Sequence, residues 1–306
     1  MNPLRSLILA AAGNDAVRRL VSTAPVSRGI VDRFVAGEST ADAVAVTAAL
    51  ARDGLAVTLD HLGEHASGRE PAERTVRAYL ELLDSLHEAG LSEVAEVSVK
   101  LSAVGQAVDE GLALANASRI CAAAEQCGTT VTLDMEDHTT TDSTLGVLAE
   151  LRRTWPGVAA VLQAYLRRTL GDCRDLAGTR VRLCKGAYAE PESVAFTDPH
   201  EVDLNYVRCA NVLLEGEGFP MFATHDPRLV PIIGERAKWY DRKPGSYEHQ
   251  MLYGVRPDEQ RRLAETGETM RVYVPYGGQW YGYLMRRLAE RPANTTFFLR
   301  SLVGTS

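Results

Sequence analysis

A short segment near the C-terminus carries side chains suited to binding a small carboxylate. Residues 279–290 read QWYGYLMRRLAE. At about 100° per residue on a helix, one face would hold the polar and aromatic residues Gln279, Trp280, Tyr283, Arg286, Arg287 and Glu290. Arginine forks match carboxylate geometry, so two of them beside a tyrosine suit the carboxylate of an amino acid. An exposed helix face with an Arg286–Glu290 ion pair explains the same pattern.

Two further cationic segments follow apolar runs. In RVRLCKGAY (180–188), Arg182 and Lys185 straddle the end of a run, and Gly186 permits close backbone approach. Two cations there would hold a pyrophosphate or tune a cofactor ring, or they are ordinary charges at a strand-to-loop junction. Lys100 ends the run SVKLS. A lysine in that position forms a Schiff base, binds an anion as a point charge, or lies at the surface.

Acidic and histidine side chains also cluster at the ends of runs. Asp134, Glu136, Asp137 and His138 follow one another closely, but the chain has no H-x-H or H-E-x-x-H spacing. We therefore expect no metal site, and an ion pair of Asp134 with Lys100 is favoured. His225, in THD, either donates to or accepts from a cofactor heteroatom or is a core histidine with its own partners.

The elements that must position these side chains alternate in type. Short runs rich in Val, Ile, Leu and Thr occur at residues 56–60, 96–101, 130–135, 159–164, 180–184, 221–224, 247–252 and 271–275. Helix-like segments separate most of them, at 72–89, 116–126, 144–154, 201–215 and 257–265. Near-continuous apolar strands separated by helices predict a parallel sheet covered by helices. Eight such units favour an α/β fold of the closed (β/α)8 TIM-barrel type over an open doubly wound sheet.

Polar residues where the apolar runs stop support the barrel. They are Asp60, Lys100, Asp134, Gln163, Lys185, His225 and Tyr273. In barrels the loops after the strands share one mouth, so chemistry lies at the strand ends. The dinucleotide pattern G-x-G-x-x-G and the phosphate-loop pattern G-x-x-x-x-G-K-[ST] are both missing from the sequence.

The amino-acid composition limits the binding partners and the cellular compartment that we expect. The net charge of −7 argues against nucleic acid or an anionic membrane surface as the main partner. No apolar run reaches the roughly 20 residues of a membrane span. The five cysteines are scattered, which fits a reducing cytoplasm. We expect a helical N-terminal arm over residues 1–50 and a barrel over 51–306 that ends in the helix at 279–290.

Taken together, these segments resemble the proline dehydrogenase family, in its monofunctional bacterial form. The resemblance runs from about residue 30 to the end. It is carried, in order, by LDHLGE (59–64), SVKLSA (98–103), LDMED (133–137), LQAYL (162–166), RLCKGAY (182–188), FATHD (222–226), EHQMLYG (248–254), RVYVPYG (271–277) and YLMRRLAE (283–290). Nine strings in this order are far more specific than any one of them. Cys184 stands where the family commonly has Val, and Ala189 where fused enzymes often have Trp.

The resemblance implies FAD as the cofactor and oxidation of L-proline to Δ1-pyrroline-5-carboxylate. The implied catalytic positions are Lys100, Asp134, Arg182, Tyr273, Arg286 and Arg287. The implied substrate-binding positions are Lys100, Leu183, Tyr188, Leu252, Tyr273, Tyr283, Arg286 and Arg287. The implied FAD-binding positions are Asp134, Met135, Gln163, Arg182, Cys184, Lys185, Gly186, Ala187, Thr224, His225 and Glu290.

The implied partners are a membrane quinone as electron acceptor and, downstream, a pyrroline-5-carboxylate dehydrogenase. The expected location is the cytoplasm, with peripheral contact at the inner membrane. Two other functions compete from the residues alone. One is a class I aldolase-type barrel that uses Lys100 or Lys185 as the Schiff-base nucleophile. The other is a non-catalytic barrel that binds amino acids through the arginine pair.

Overall fold

A computed structural model gives the fold. It describes residues 31–63 and 65–290, and for residues 286–290 it describes the backbone alone. Most of the predicted N-terminal arm, residues 1–30, and residues 291–306 therefore lie outside the described residues. In the described chain, no helix combines the length and apolar character needed to cross a bilayer.

Parallel strands form a closed barrel, as the alternation of runs predicted. Each strand pairs with the next in sequence order, and β1 pairs with β8 to close the ring. The strands are β1 (Ala56–His61), β2 (Ala95–Lys100), β3 (Val131–Asp134), β4 (Ala159–Gln163), β5 (Arg180–Cys184), β6 (Phe219–Ala223), β7 (Glu248–Leu252) and β8 (Met270–Tyr276). All eight predicted runs overlap these strands, so the predicted (β/α)8 architecture is confirmed.

Helices cover the outside of the barrel. They are α1 (Thr40–Arg52), α2 (Arg69–Glu88), α3 (Glu110–Gln126), α4 (Thr141–Arg152), α5 (Thr169–Leu176), α6 (Pro199–Glu215), α7 (Leu229–Trp239), α8 (Pro257–Glu265) and α9 (Trp280–Glu290). Helix α1, in the predicted helical arm, begins with a capping box, in which Ser39 and Asp42 each bond to the other's backbone N–H. Helices α5 and α7 were not among the predicted helices.

Successive side chains of each strand point alternately outward, toward the helices, and inward, into the barrel. On β5, Val181 and Leu183 point outward and pack with Tyr206 and Cys209 of α6. Arg182, between them, points into the barrel and contacts Gln250 of β7. Because successive side chains of a strand face opposite sides, Leu183 cannot line a pocket inside the barrel that Arg182 reaches. The prediction that Leu183 lines the substrate pocket is therefore wrong.

The barrel interior holds an ionic network where such barrels usually hold branched aliphatic side chains. Glu96 of β2 is buried, with 2% of its surface exposed. It accepts hydrogen bonds from Arg180 at 2.8 Å and Arg182 at 3.3 Å. Thr58 and Thr132 donate to the same carboxylate at 2.9 and 3.0 Å. Below the mouth, the strands are thus tied to one another by charge as well as by backbone hydrogen bonds.

Because of this ionic network, the stability of the fold should depend on pH in the acid range. Burial alone would raise the pKa of Glu96, but Arg271, Arg180 and Arg182 outweigh it and lower that pKa from 4.5 to about 2. A carboxyl group whose pKa is lower in the folded protein than in the unfolded chain stabilises the fold. This stabilisation is fully present above the pKa of the unfolded chain and is lost as the pH falls through the pKa of the folded protein. We expect the urea midpoint to fall between pH 4.5 and pH 2, and to fall less steeply in Glu96→Gln. Equal slopes in the variant and the parent would contradict this role, and Glu70→Gln on the exposed face of α2 is the control.

Candidate active site

A cavity of about 830 Å³ opens at the carboxyl ends of the strands. It brings together most of the predicted site residues, which come from strands β2, β3, β4, β5, β7 and β8, from the loops after β3, β5 and β6, and from α9. The predicted residues that line it are Lys100, Asp134, Met135, Gln163, Arg182, Cys184, Lys185, Gly186, Ala187, Tyr188, Thr224, His225, Leu252, Tyr273 and Tyr283. Asp60, predicted only as a polar residue at a strand end, and Gln250, which was not predicted, also line the cavity. The side chains of Arg286, Arg287 and Glu290 lie outside the described residues.

Asp134 is the central acceptor on the cavity floor. Its Oδ1 accepts from Arg182 at 2.9 Å and from Ser98 at 2.8 Å, and its Oδ2 accepts from the Tyr273 hydroxyl at 2.7 Å. Burial alone would raise the pKa of Asp134, but Lys100 and Arg182 hold it below its ordinary value. The carboxylate therefore stays ionised at neutral pH and fixes three neighbouring side chains relative to one another.

Lys100 pairs more closely with Asp60 than with the predicted partner Asp134. Its Nζ lies 2.6 Å from Asp60 Oδ2 and 3.7 Å from Asp134 Oδ2. The Asp60 side chain was visible in the sequence as a polar strand end, but its partner depends on the pairing of β1 with β2. Burial alone would lower the pKa of Lys100, but the two carboxylates outweigh it and hold that pKa above its ordinary value.

The two ion pairs of Lys100 make it a poor candidate for the Schiff-base nucleophile of the aldolase-type function. A Schiff-base lysine must lose its proton to attack a carbonyl, and Lys100 holds its proton against two carboxylates. We expect borohydride treatment in the presence of carbonyl substrates to leave Lys100 unmodified between pH 6 and pH 9, as peptide mass mapping would show. A covalent adduct on Lys100 would restore the aldolase-type interpretation. Free lysine amide mixed with the same reagents is the positive control.

Arg182 lies inside the barrel with every donor engaged. Its Nε donates to Gln250 at 2.6 Å, and its two terminal nitrogens donate to Ser98, Asp134, Thr58 and Glu96. Its Cζ lies 5.3 Å from the centre of the Tyr273 ring, which is within cation–π range. The guanidinium is thus held rigidly at the cavity floor and contributes a fixed positive charge there.

Tyr273 is held in its protonated form beside this charge. Burial, together with the carboxylates of Asp134 and Asp60, raises the pKa of its phenol well above its ordinary range. The hydroxyl therefore donates to Asp134 at neutral pH. Its ring supplies part of the cavity wall, as predicted for a substrate pocket.

Lys185 and Arg182 do not form a joint clamp, although they are three residues apart. Lys185 lies at the rim, where its Nζ contacts Asp203 at 2.5 Å and Asp226 at 2.9 Å. Arg228 contacts the same two carboxylates at 2.6 and 2.8 Å. The rim therefore carries a compact cluster of two cations and two carboxylates, and Lys185 would exchange one of these partners on binding a phosphate.

The cavity wall between β4 and β7 offers hydrogen-bonding atoms suited to a heterocycle. The Gln163 amide nitrogen donates to Glu136 O at 2.7 Å, while its buried Oε1 has no hydrogen-bond partner among the described residues. His225 Nε2 accepts from Leu252 N at 2.8 Å, which places the ring proton on Nδ1 of the neutral imidazole. The thiol of Cys184 stays protonated, because burial raises its pKa to about 11.

Gly186 forms the close backbone approach that its position predicted. Its φ of 98° is unfavourable for other residues, and a Cβ there would lie 2.1 Å from the Tyr165 ring. Ala187 and Tyr188 follow it along the cavity wall. The backbone at Lys185 and Gly186 is therefore held closely against the segment that follows β4 and presents a narrow edge to the cavity.

Helix α9 is packed across the mouth. Trp280, Tyr281, Leu284 and Met285 are buried in a cluster with residues 34 and 35, so the first half of the helix is covered on more than the predicted polar face. The Trp280 indole donates to Glu38 Oε1 at 2.8 Å. Tyr283 lines the cavity, and residues 286 and 287 follow it by three and four positions along the helix backbone.

Fold and cavity together define a barrel enzyme whose charged mouth is closed on one side by its last helix. A family model described as "Proline dehydrogenase" matches residues 43–300. The chain is 41% identical over 285 residues to the proline dehydrogenase of Deinococcus radiodurans, covering 90% of each protein. It is 36% identical over 273 residues to proline dehydrogenase 1 of Bacillus subtilis (strain 168), covering 89% of this chain and 90% of that protein.

A solved structure agrees with both relatives. Proline utilization A from Bdellovibrio bacteriovorus, inactivated by N-propargylglycine, superposes with a TM-score of 0.80 at 26% identity. The match covers 92% of this chain and 34% of that longer one. The chain belongs to the proline dehydrogenase family. It is accordingly a proline dehydrogenase by activity, an oxidoreductase of proline catabolism with FAD as its cofactor. The family resemblance and the barrel predicted from the sequence are both confirmed.

Proposed function

We propose that this chain oxidises L-proline to Δ1-pyrroline-5-carboxylate and passes the electrons to a membrane quinone. The observation that carries the reaction is the floor of the cavity, where Asp134 holds Arg182, Tyr273 and, at longer range, Lys100. This arrangement combines a fixed cation for an anionic ligand with an aromatic wall for a small ring. It has the charge and the size that an amino acid bound beside a planar cofactor requires.

The cavity fits FAD by the chemistry of its lining. The unpaired Gln163 Oε1 is placed to accept from a ring N–H, and the Gly186 edge admits a planar group close to the backbone. We propose that FAD is held by Asp134, Met135, Gln163, Arg182, Cys184, Lys185, Gly186, Ala187, Thr224, His225 and Glu290. FAD supplies the acceptor for the hydride that leaves proline C5.

The protein's own task is to position proline and to control its protonation. Lys100, Arg286 and Arg287 bind the carboxylate, while Tyr188, Leu252, Tyr273 and Tyr283 surround the ring. The amine must lose its proton before the C5–H bond breaks, because an ammonium has no lone pair to share. Solvent at the open mouth takes that proton, so activity should rise with pH through the alkaline range. Fixing the reacting atoms in place lowers the barrier by proximity.

A dye-coupled assay tests the function. Purified protein loaded with FAD should reduce a soluble dye when L-proline is added, and the product should be the cyclic imine by mass. D-proline and the protein stripped of FAD are the controls. Proline binding by calorimetry without dye reduction would support the non-catalytic amino-acid barrel instead.

The electron acceptor requires a separate experiment. We propose that the protein is cytoplasmic and contacts the inner membrane surface only peripherally, where a quinone reoxidises the cofactor. Washed membranes should retain part of the protein, and quinone added to proline-reduced protein should be consumed. A pyrroline-5-carboxylate dehydrogenase is the proposed downstream partner. If quinones do not reoxidise the protein, the proposed electron acceptor is wrong, but the proposed oxidation of L-proline is not affected.

A further inference from the structure

We infer that Glu96, one layer below the cavity floor, sets the reduction potential of the bound cofactor by neutralising Arg182. The inference rests on the proposed placement of FAD at this cavity. Glu96 does not line the cavity, and Arg182 is the one proposed FAD-binding residue among its hydrogen-bond partners in the described chain. Glu96 is therefore a positioning and charge-balancing residue, with no direct part in the chemistry.

The first step is that Arg182 acts through its charge. All five of its N–H groups already donate to protein acceptors. A cofactor ring above it would have to displace one of these acceptors to receive a hydrogen bond. With 3% of its surface exposed, the guanidinium is instead a buried, fixed positive charge whose field reaches the cavity. Positive charge near a flavin favours the reduced, more electron-rich form.

The second step is that the interior charges balance. Among the described residues that point into the barrel, the carboxylates are Asp60, Glu96, Asp134 and Glu248, and the cations are Lys100, Arg180, Arg182 and Arg271. Glu96 alone bridges Arg180 and Arg182. Replacing Glu96 with a neutral side chain would leave one uncompensated positive charge in the barrel interior, where mobile ions do not screen it.

The third step is distance along the strand. Glu96 pairs in register with Thr58 and precedes Ser98 and Lys100 on the same face of β2. At about 3.3 Å per residue, it lies roughly 13 Å along the strand from Lys100. A change at Glu96 therefore reaches the cavity through Arg182 and leaves the binding groups for the carboxylate in place.

The potential of bound FAD, measured by equilibration with a reference dye, tests this role. In Glu96→Gln we expect the reduction equilibrium to shift about tenfold toward reduced flavin, which is 29.6 mV for a two-electron couple. Glu96→Asp keeps the charge and should restore the parent potential. Glu73→Gln removes a carboxylate at the surface, where it pairs with Arg119, and should not move the potential.

Further variants keep the test decisive if Glu96→Gln does not fold. Arg180→Gln removes the other partner of Glu96 and should shift the potential in the opposite direction. The double variant Glu96→Gln/Arg180→Gln removes one charge of each sign and should return close to the parent value. Folded variants that all share the parent potential would overturn the inference. The proposed function fails separately, if L-proline does not reduce FAD in the parent protein.

Discussion

Arg287→Ala should lower kcat/KM for L-proline by on the order of 2–4 kcal/mol, mostly through a higher KM. The physical reason is the loss of the proposed charge-assisted contact between this arginine and the substrate carboxylate. Support for the placement comes from Tyr283, which lines the cavity four residues earlier on α9. Arg286→Ala should have an effect of the same sign. Steady-state kinetics with varied L-proline measure both.

The matched control is an arginine on the neighbouring helix. Arg261 of α8 is an exposed residue that pairs with Asp258. Arg261→Ala should leave KM unchanged, because exposed ion pairs contribute little and this one lies away from the cavity lining. If Arg287→Ala retains the parent KM while FAD remains bound, the arginine does not bind the substrate carboxylate and the proposed clamp is wrong.

Asp134→Asn should lower the free energy of unfolding by about 3–5 kcal/mol, the usual cost of breaking a buried ionic cluster from one side. The amide keeps the volume of the carboxylate but cannot neutralise Arg182 and Lys100, which both contact Asp134. Its own N–H₂ would also face the Tyr273 hydroxyl, which donates to Asp134 in the parent. Urea denaturation at pH 7 measures the loss.

A surface carboxylate provides the comparison for this substitution. Asp142 has an 85% exposed side chain and pairs with Arg168 at 2.6 Å. Asp142→Asn should change the free energy of unfolding by no more than about 1 kcal/mol. An equal effect of the two substitutions would mean that Asp134 does not hold the cavity floor together.

The architecture could be predicted from the sequence because its signals are local. Apolar runs alternating with helical segments gave the eight strands, and polar residues at the run ends marked the mouth. The two unpredicted helices have weaker local signals. Helix α5 is short, and α7 contains Pro231 and Gly234, which lower helix propensity. Packing against the barrel stabilises both helices, and no window of sequence reports that packing.

The residues of the site could be predicted from the sequence, but which of them contact one another could not. Asp60 was recognisable as a strand end, yet its contact with Lys100 spans 40 residues and depends on the register of β1 and β2. Glu96, which meets Arg182 across 86 positions, was hidden within a run taken as continuous and apolar. Leu183 entered the pocket prediction by resemblance, and strand alternation turned it outward. Long-range ionic contacts of this kind become visible only in three dimensions.

One visible spectrum, recorded without oxygen before and after L-proline is added, tests the central claim most directly. That claim is that this cavity holds FAD and presents proline to it. The purified protein should be yellow, and L-proline should bleach the visible band of the oxidised flavin completely. A colourless protein that cannot be loaded with FAD, or a yellow one whose band survives saturating L-proline, would contradict the account.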